Sequence, residues 1–85
     1  MAYRIEFTGA AKRQFDKLPA PVQRRLAEAV DHLSEDPRPD GVKKLSGKEG
    51  LYRVRSGDYR IVYRIEDNRL LVLVVKIGHR REVYR

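Results

Sequence analysis

Residues 51–65 read LYRVRSGDYRIVYRI, and the fold turns on how this stretch divides. Leu51–Arg55 and Tyr59–Ile65 each alternate apolar and polar side chains, the period of a half-buried strand. Ser56-Gly57-Asp58 between them is turn-forming, so the stretch predicts a β-hairpin. Side chains alternate across a strand. Tyr52, Val54, Tyr59, Ile61, Tyr63 and Ile65 therefore fall on one face, which a core can cover. Arg53, Arg55, Arg60 and Arg64 emerge on the other. Guanidiniums on adjacent strands repel one another unless an anion lies among them, and the planar, permanently charged fork of arginine suits phosphate.

Working outward, a third strand-like segment, Leu70–Gly78, follows a short join at Glu66-Asp67-Asn68-Arg69. It is apolar in both phases, with Leu71, Leu73, Val75 and Ile77 against Leu70, Val72 and Val74, which predicts a central place in the sheet. Upstream, Ala2–Thr8 alternates as a further strand, with Tyr3, Ile5 and Phe7 on one side. The hydroxyl of Thr8 is placed to cap a helix whose apolar stripe is Ala11, Phe15 and Leu18. Pro19 and Pro21 end that helix and start a second. Its stripe is Val22, Leu26, Ala29, Val30 and Leu33, and Asp36-Pro37 stops it. The two helices are expected to form an antiparallel hairpin. Arg38 to Gly50 reads as a polar loop. The order β-α-α-β-β-β predicts one α+β domain over residues 1–85, with a helical hairpin on one face of a small, mainly antiparallel sheet.

Composition narrows the function. The 85 residues contain no cysteine, so no disulfide or thiolate site supplements a core that is small at this length. His32 and His79 lack ligand-like spacing, and neither a metal nor a cofactor is expected. No N-terminal segment resembles a signal peptide, and the longest apolar run, Leu70–Val75, is too short to span a bilayer. The expectation is a cytoplasmic protein with no membrane partner. The net charge is +7, and it is lopsided: residues 1–42 carry seven basic and seven acidic side chains, residues 43–85 twelve and five. Such a field attracts a polyanion, nucleic acid being the commonest, or an acidic protein. Lys43 and Lys44 add to it before the hairpin. After the last strand, GHRREVYR sets His79, Arg80, Arg81 and Tyr84 together where Gly78 lets the chain bend.

KKLSG (43–47), LYRVRSGDYRIVY (51–63) and IGHRREVY (77–84) together resemble the RelE branch of the RelE/ParE toxin superfamily. The N-terminal strand and helical pair match that family in order and length, so the resemblance spans essentially the whole chain. It implies a toxin of a type II toxin–antitoxin pair, an endoribonuclease that cuts mRNA in the ribosomal A site with its active site on the open face of the sheet. The partners implied are an acidic, RelB-like antitoxin, the ribosome with its mRNA, and operator DNA reached through the antitoxin. Arg60, Arg80 and Tyr84 match an arginine, an arginine and a tyrosine of well-studied members. Arg53 and Arg55 stand where those members carry two lysines.

The reaction implied is attack of an RNA 2′-hydroxyl on the adjacent phosphorus. It leaves a 2′,3′-cyclic phosphate and a 5′-hydroxyl, and it needs a base, positive charge on the phosphoryl oxygens and an acid. Arg53, Arg55 and Arg60, helped by Arg81, Lys43 and Lys44, supply charge. Arg80 is suited to the leaving group, and Tyr84 to stacking on a base. Arginine stays protonated, whereas lysine can be tuned to act as a base. The Lys-to-Arg departures therefore turn attention to His79, whose imidazole titrates near neutrality. Two other functions share the fold: a ParE-like poison of DNA gyrase that leaves RNA uncut, and a non-catalytic co-repressor acting with its antitoxin. Arg60, Arg80 and Tyr84 favour the ribonuclease over the first. The lack of a recognition-helix pattern counts against the second.

Overall fold

The computed structural model describes residues 2–45 and 50–79. Strand β1 (Arg4–Phe7) leads into helices α1 (Gly9–Asp16) and α2 (Ala20–Glu35). Then come β2 (Lys43–Lys44), β3 (Leu51–Ser56), β4 (Tyr59–Glu66), a 3-10 turn (Asp67–Arg69) and β5 (Leu71–His79). The sheet runs β1-β5-β4-β3-β2. Only the β1–β5 pairing is parallel; the other three are antiparallel. The apolar third strand of the sequence is central, as its two-sided hydrophobicity predicts. β2 is an addition: two residues of the expected Arg38–Gly50 loop pair with β3 as a short edge strand.

Both helices lie on one face. Ala11 from α1 and Leu26, Val30 and Leu33 from α2 share a core with Ile61, Tyr63, Ile65, Val72, Val74 and Ile77 of the sheet. Tyr52, Val54 and Tyr59 pack at its margin. Every tyrosine, valine and isoleucine assigned by alternation to the covered side of the hairpin is therefore on that side. The hairpin closes through Gly57 and Asp58, with Ser56 opposite Tyr59. Gly57 has φ 62°, the left-handed conformation that the first central residue of a type II′ turn needs. A Cβ there would also meet the Arg25 guanidinium at 2.7 Å.

β5 does not alternate strictly. Val62 pairs with Lys76 but Tyr63 pairs with Val74, so Val75 is an extra residue in β5. Such a bulge shifts the phase of every residue beyond it. Val72, Val74 and Ile77 consequently all enter the helix-side core. Sequence alternation had set Ile77 with Leu71 and Leu73, on the opposite side. Thr8, the cap of α1, and Gln14 within it take up backbone groups around the bulge. The Thr8 N–H donates to Val74 O at 2.9 Å, and the Thr8 hydroxyl donates to Val75 O at 3.3 Å. That same hydroxyl oxygen accepts the Ala11 N–H at 3.1 Å as the helix cap, and Gln14 Oε1 accepts the Ile77 N–H at 2.8 Å.

Because one hydroxyl serves both the cap and the bulge, Thr8→Val is expected to lower unfolding stability by about 1–2 kcal/mol. Thr8→Ser should cost only a few tenths. Urea denaturation of the two variants checks this, and equal stabilities would contradict the dual role.

Candidate functional site

The open face is built rung by rung across the sheet. One rung runs Lys43, Arg53, Val62, Lys76 across β2, β3, β4 and β5. The next runs Arg55, Arg60, Gly78. Residues opposite one another share a face, so two arginines of β3, one of β4 and a lysine from each flanking strand converge. A third rung carries Arg64 between Leu51 and Leu73, beyond the first and away from Arg60. A cavity of about 380 Å³ opens on this surface, lined by Asp40, Gly41, Lys43, Arg53, Val54, Arg55 and Arg60.

Arg60 is the most enclosed of these cations, only 6% exposed, with Nη1 3.5 Å from Tyr59 O. Arg53 is half-buried, and Arg55 and Lys43 are exposed. Gly78, with no side chain, stands opposite Arg60. Arg55 and Arg60 face each other directly, and like charges in that position are destabilising by themselves. An anion between them lowers the repulsion and gains charge-assisted hydrogen bonds. Chemically the arrangement is a fork of guanidiniums able to hold phosphoryl oxygens.

Two expected members are not brought to this cluster. Lys44 pairs with Tyr52, one residue out of phase with Lys43, and so lies on the helix side at the sheet edge. His79 pairs with Tyr59, and its ring meets the tyrosine edge-on at 5.6 Å. With Gln14, Lys17, Leu18 and Ile77 it lines a separate cavity of about 280 Å³ on the helix side. The bulge at Val75 is the reason: without it, His79 would have followed Leu71 and Leu73 to the open face. Arg64, though on the open face, is displaced along the strand. The bulge also brings a residue that sequence alternation missed. Lys76 would have followed Val72 and Val74 into the core, and instead emerges beside Arg53's rung. Its signal was legible, since a lysine in phase with core valines is costly to bury. Arg80, Arg81 and Tyr84 lie outside the described residues, as do Ser46 and Gly47 of the KKLSG segment.

One wall of the cavity is the link between α2 and β2, and a polar clamp holds its base. Arg38 donates to both carboxylate oxygens of Asp67, at 3.2 and 2.9 Å. The Arg38 guanidinium lies 5.2 Å over the Tyr52 ring, and the Tyr3 hydroxyl donates to Asp67 Oδ1 at 2.7 Å. Tyr52 stacks on Tyr63 with centroids 6.1 Å apart. The buried Tyr63 hydroxyl donates to Pro37 O at 2.7 Å. Burial raises the Tyr63 hydroxyl pKa. The hydrogen bonds from Arg38, and then from Tyr3, hold the Asp67 carboxyl below its ordinary range.

Comparison with known proteins places this geometry in context. A family model described as the ParE toxin of type II toxin–antitoxin systems matches residues 5–84. Toxin RelG of Mycobacterium tuberculosis is 34% identical over 86 residues, covering 100% of this chain and 99% of that protein. The mRNA interferase toxin RelE of Escherichia coli is 34% identical over 88 residues, covering 99% and 92%. The toxin chain in the crystal structure of the intact Escherichia coli RelBE toxin–antitoxin complex superimposes with a TM-score of 0.81 at 31% identity, covering 92% of this chain and 96% of that one.

The clamp has a pH signature. A carboxyl whose folded pKa is lowered contributes stability above its unfolded pKa and loses it as pH falls through the folded value. In an NMR titration Asp67 is expected to titrate below 3.8, and Arg38→Ala should move it upward. An Asp67 midpoint unchanged by Arg38→Ala would contradict the clamp.

Proposed function

Because this chain belongs to the ParE toxin family of type II toxin–antitoxin systems, we propose that it is an endoribonuclease. It cleaves mRNA in the ribosomal A site by attack of a 2′-hydroxyl on the adjacent phosphorus. The observation that carries this is the convergence of Arg53, Arg55, Lys43 and the enclosed Arg60 on one open cavity. The scissile phosphate lies among these cations, which stabilise charge as it develops on the phosphoryl oxygens. Lys76, on the rung of Arg53, adds to the field that draws the message in. By family resemblance Arg80 serves the leaving group and Tyr84 stacks on a base, and Arg81 adds positive charge for the RNA backbone.

The name of the Escherichia coli relative, mRNA interferase toxin, supports the reaction class, and the RelBE complex supports a RelB-like antitoxin as partner. The antitoxin's acidic segment covers the basic face, and operator DNA is reached through the antitoxin. No helix among the described residues is long and apolar enough to cross a membrane, in keeping with action on cytoplasmic ribosomes. The family description names ParE, so poisoning of DNA gyrase is the reading to test against.

Purified ribosomes programmed with a defined mRNA should be cut at the A-site codon, with a 5′-hydroxyl on the downstream product. Arg60→Ala should slow cutting at least about tenfold while antitoxin binding persists. Intact mRNA, together with gyrase trapped on cut DNA, would overturn the ribonuclease reading. The association rate with the acidic antitoxin should fall steeply as salt rises from about 0.05 to 0.5 M. A salt-insensitive rate would contradict steering by the basic face.

A further inference from the structure

The cations lining the cavity are suited to hold phosphate but take no proton. Arginine does not deprotonate in proteins, an ammonium must lose its proton before it can accept one, and His79 lies on the other face of the sheet. Among the described residues lining the cavity one is acidic, Asp40. Its backbone is fixed with more care than an exposed loop residue requires. The Val42 N–H donates to Pro39 O at 3.1 Å, and Gly41 has φ 87°. Pro39–Val42 is therefore a type II turn, with Asp40 at its first central position and glycine where the turn demands a positive φ. The turn is anchored at both ends. Arg38, one residue before it, is clamped to Asp67 and Tyr52. Lys43, one residue after it, is in register with Arg53.

We propose that Asp40, presented to the arginine cavity by this clamped turn, is the general base of the cleavage. The inference rests on the endoribonuclease activity proposed above and deepens it. An Asp40 carboxylate oxygen takes the 2′-hydroxyl proton as the O2′–P bond forms. The P–O5′ bond then breaks, and the 5′ oxygen leaves with a proton from water. Asp40 returns its own proton to solvent, so the net change is transesterification to a 2′,3′-cyclic phosphate and a 5′-hydroxyl. Arg53, Arg55 and Arg60, which line the same cavity, stabilise the phosphorane charge. A carboxylate at this place also accounts for two arginines in the hairpin, since with Asp40 as base neither needs to lose a proton.

Single-turnover cleavage on programmed ribosomes tests this. Asp40→Asn keeps shape and exposure but loses the basic oxygen. It should reduce the cleavage rate by about a hundredfold or more, the usual worth of a general base, without weakening either half-saturation or antitoxin binding. Asp40→Ala should recover at least about tenfold when formate is added, because a small carboxylate can occupy the vacated place. Lys43→Ala should show no such rescue. A rate for Asp40→Asn within about threefold of wild type would make Asp40 a counter-ion of the arginines and overturn the proposal. So would a defect confined to half-saturation, or an Asp40→Ala rate that formate leaves unmoved. If wild-type protein leaves the mRNA whole, the ribonuclease function itself falls and the base with it.

Discussion

Between Val74 and Lys76 the central strand turns its alternation over, and both the core and the open face depend on that one extra residue. β5 has helices on one side and the open face on the other. Val72 and Val74 belong to the core, so strict alternation would send Lys76 in after them and turn Ile77 out. Burying an ammonium among Tyr63, Val74 and the helices costs several kcal/mol or more. An unpaired strand residue costs less once Thr8 and Gln14 take up the exposed backbone groups. The start of α1 is thus part of the sheet's hydrogen bonding as well as the roof over its core.

The bulge also decides which groups meet on the open face. Lys76 joins the Lys43–Arg53–Val62 rung, Gly78 comes opposite Arg60, and His79 is carried to the helix side against Tyr59. Around the cavity the open side is cationic, and Asp40 is the acidic residue among the described ones that line it. Fixing that rim falls to contacts far apart in sequence. Tyr3, Arg38, Tyr52 and Asp67 come from four different segments and meet at the base of the α2–β2 link. As surface ion pairs go, Arg38–Asp67 contributes little to global stability. Its bidentate geometry and the tyrosine beneath it define where the link sits.

Local chemistry was legible in the sequence. Thr8 capped the first helix, Pro37 followed directly on the end of the second, and the hairpin's faces sorted as its alternation required. A single phase error was not: the run from Leu70 to Val75 is apolar in either register, and such a strand does not report its own bulge. Lys76 held the clue, as a charge in phase with core residues. β2 escaped notice because two residues of lysine carry no alternation to detect, and their pairing is imposed by Arg53 and Tyr52 across the ladder. The role of Asp40 was invisible for a different reason. It depends on a turn and a clamp whose partners stand up to 64 positions apart.

The central claim is that the arginine rungs of the open face, and not the His79 side, hold RNA phosphate. The most direct measurement is an NMR titration of the isotope-labelled protein with a short mRNA analogue blocked by 2′-O-methyl groups. Shifts in resonances of Arg53, Arg55, Arg60 and Lys76, fading as salt is raised, are the expected result, with Lys44 and His79 still. Shifts centred on His79, Tyr59 and Lys17, with the arginines unmoved, would contradict it.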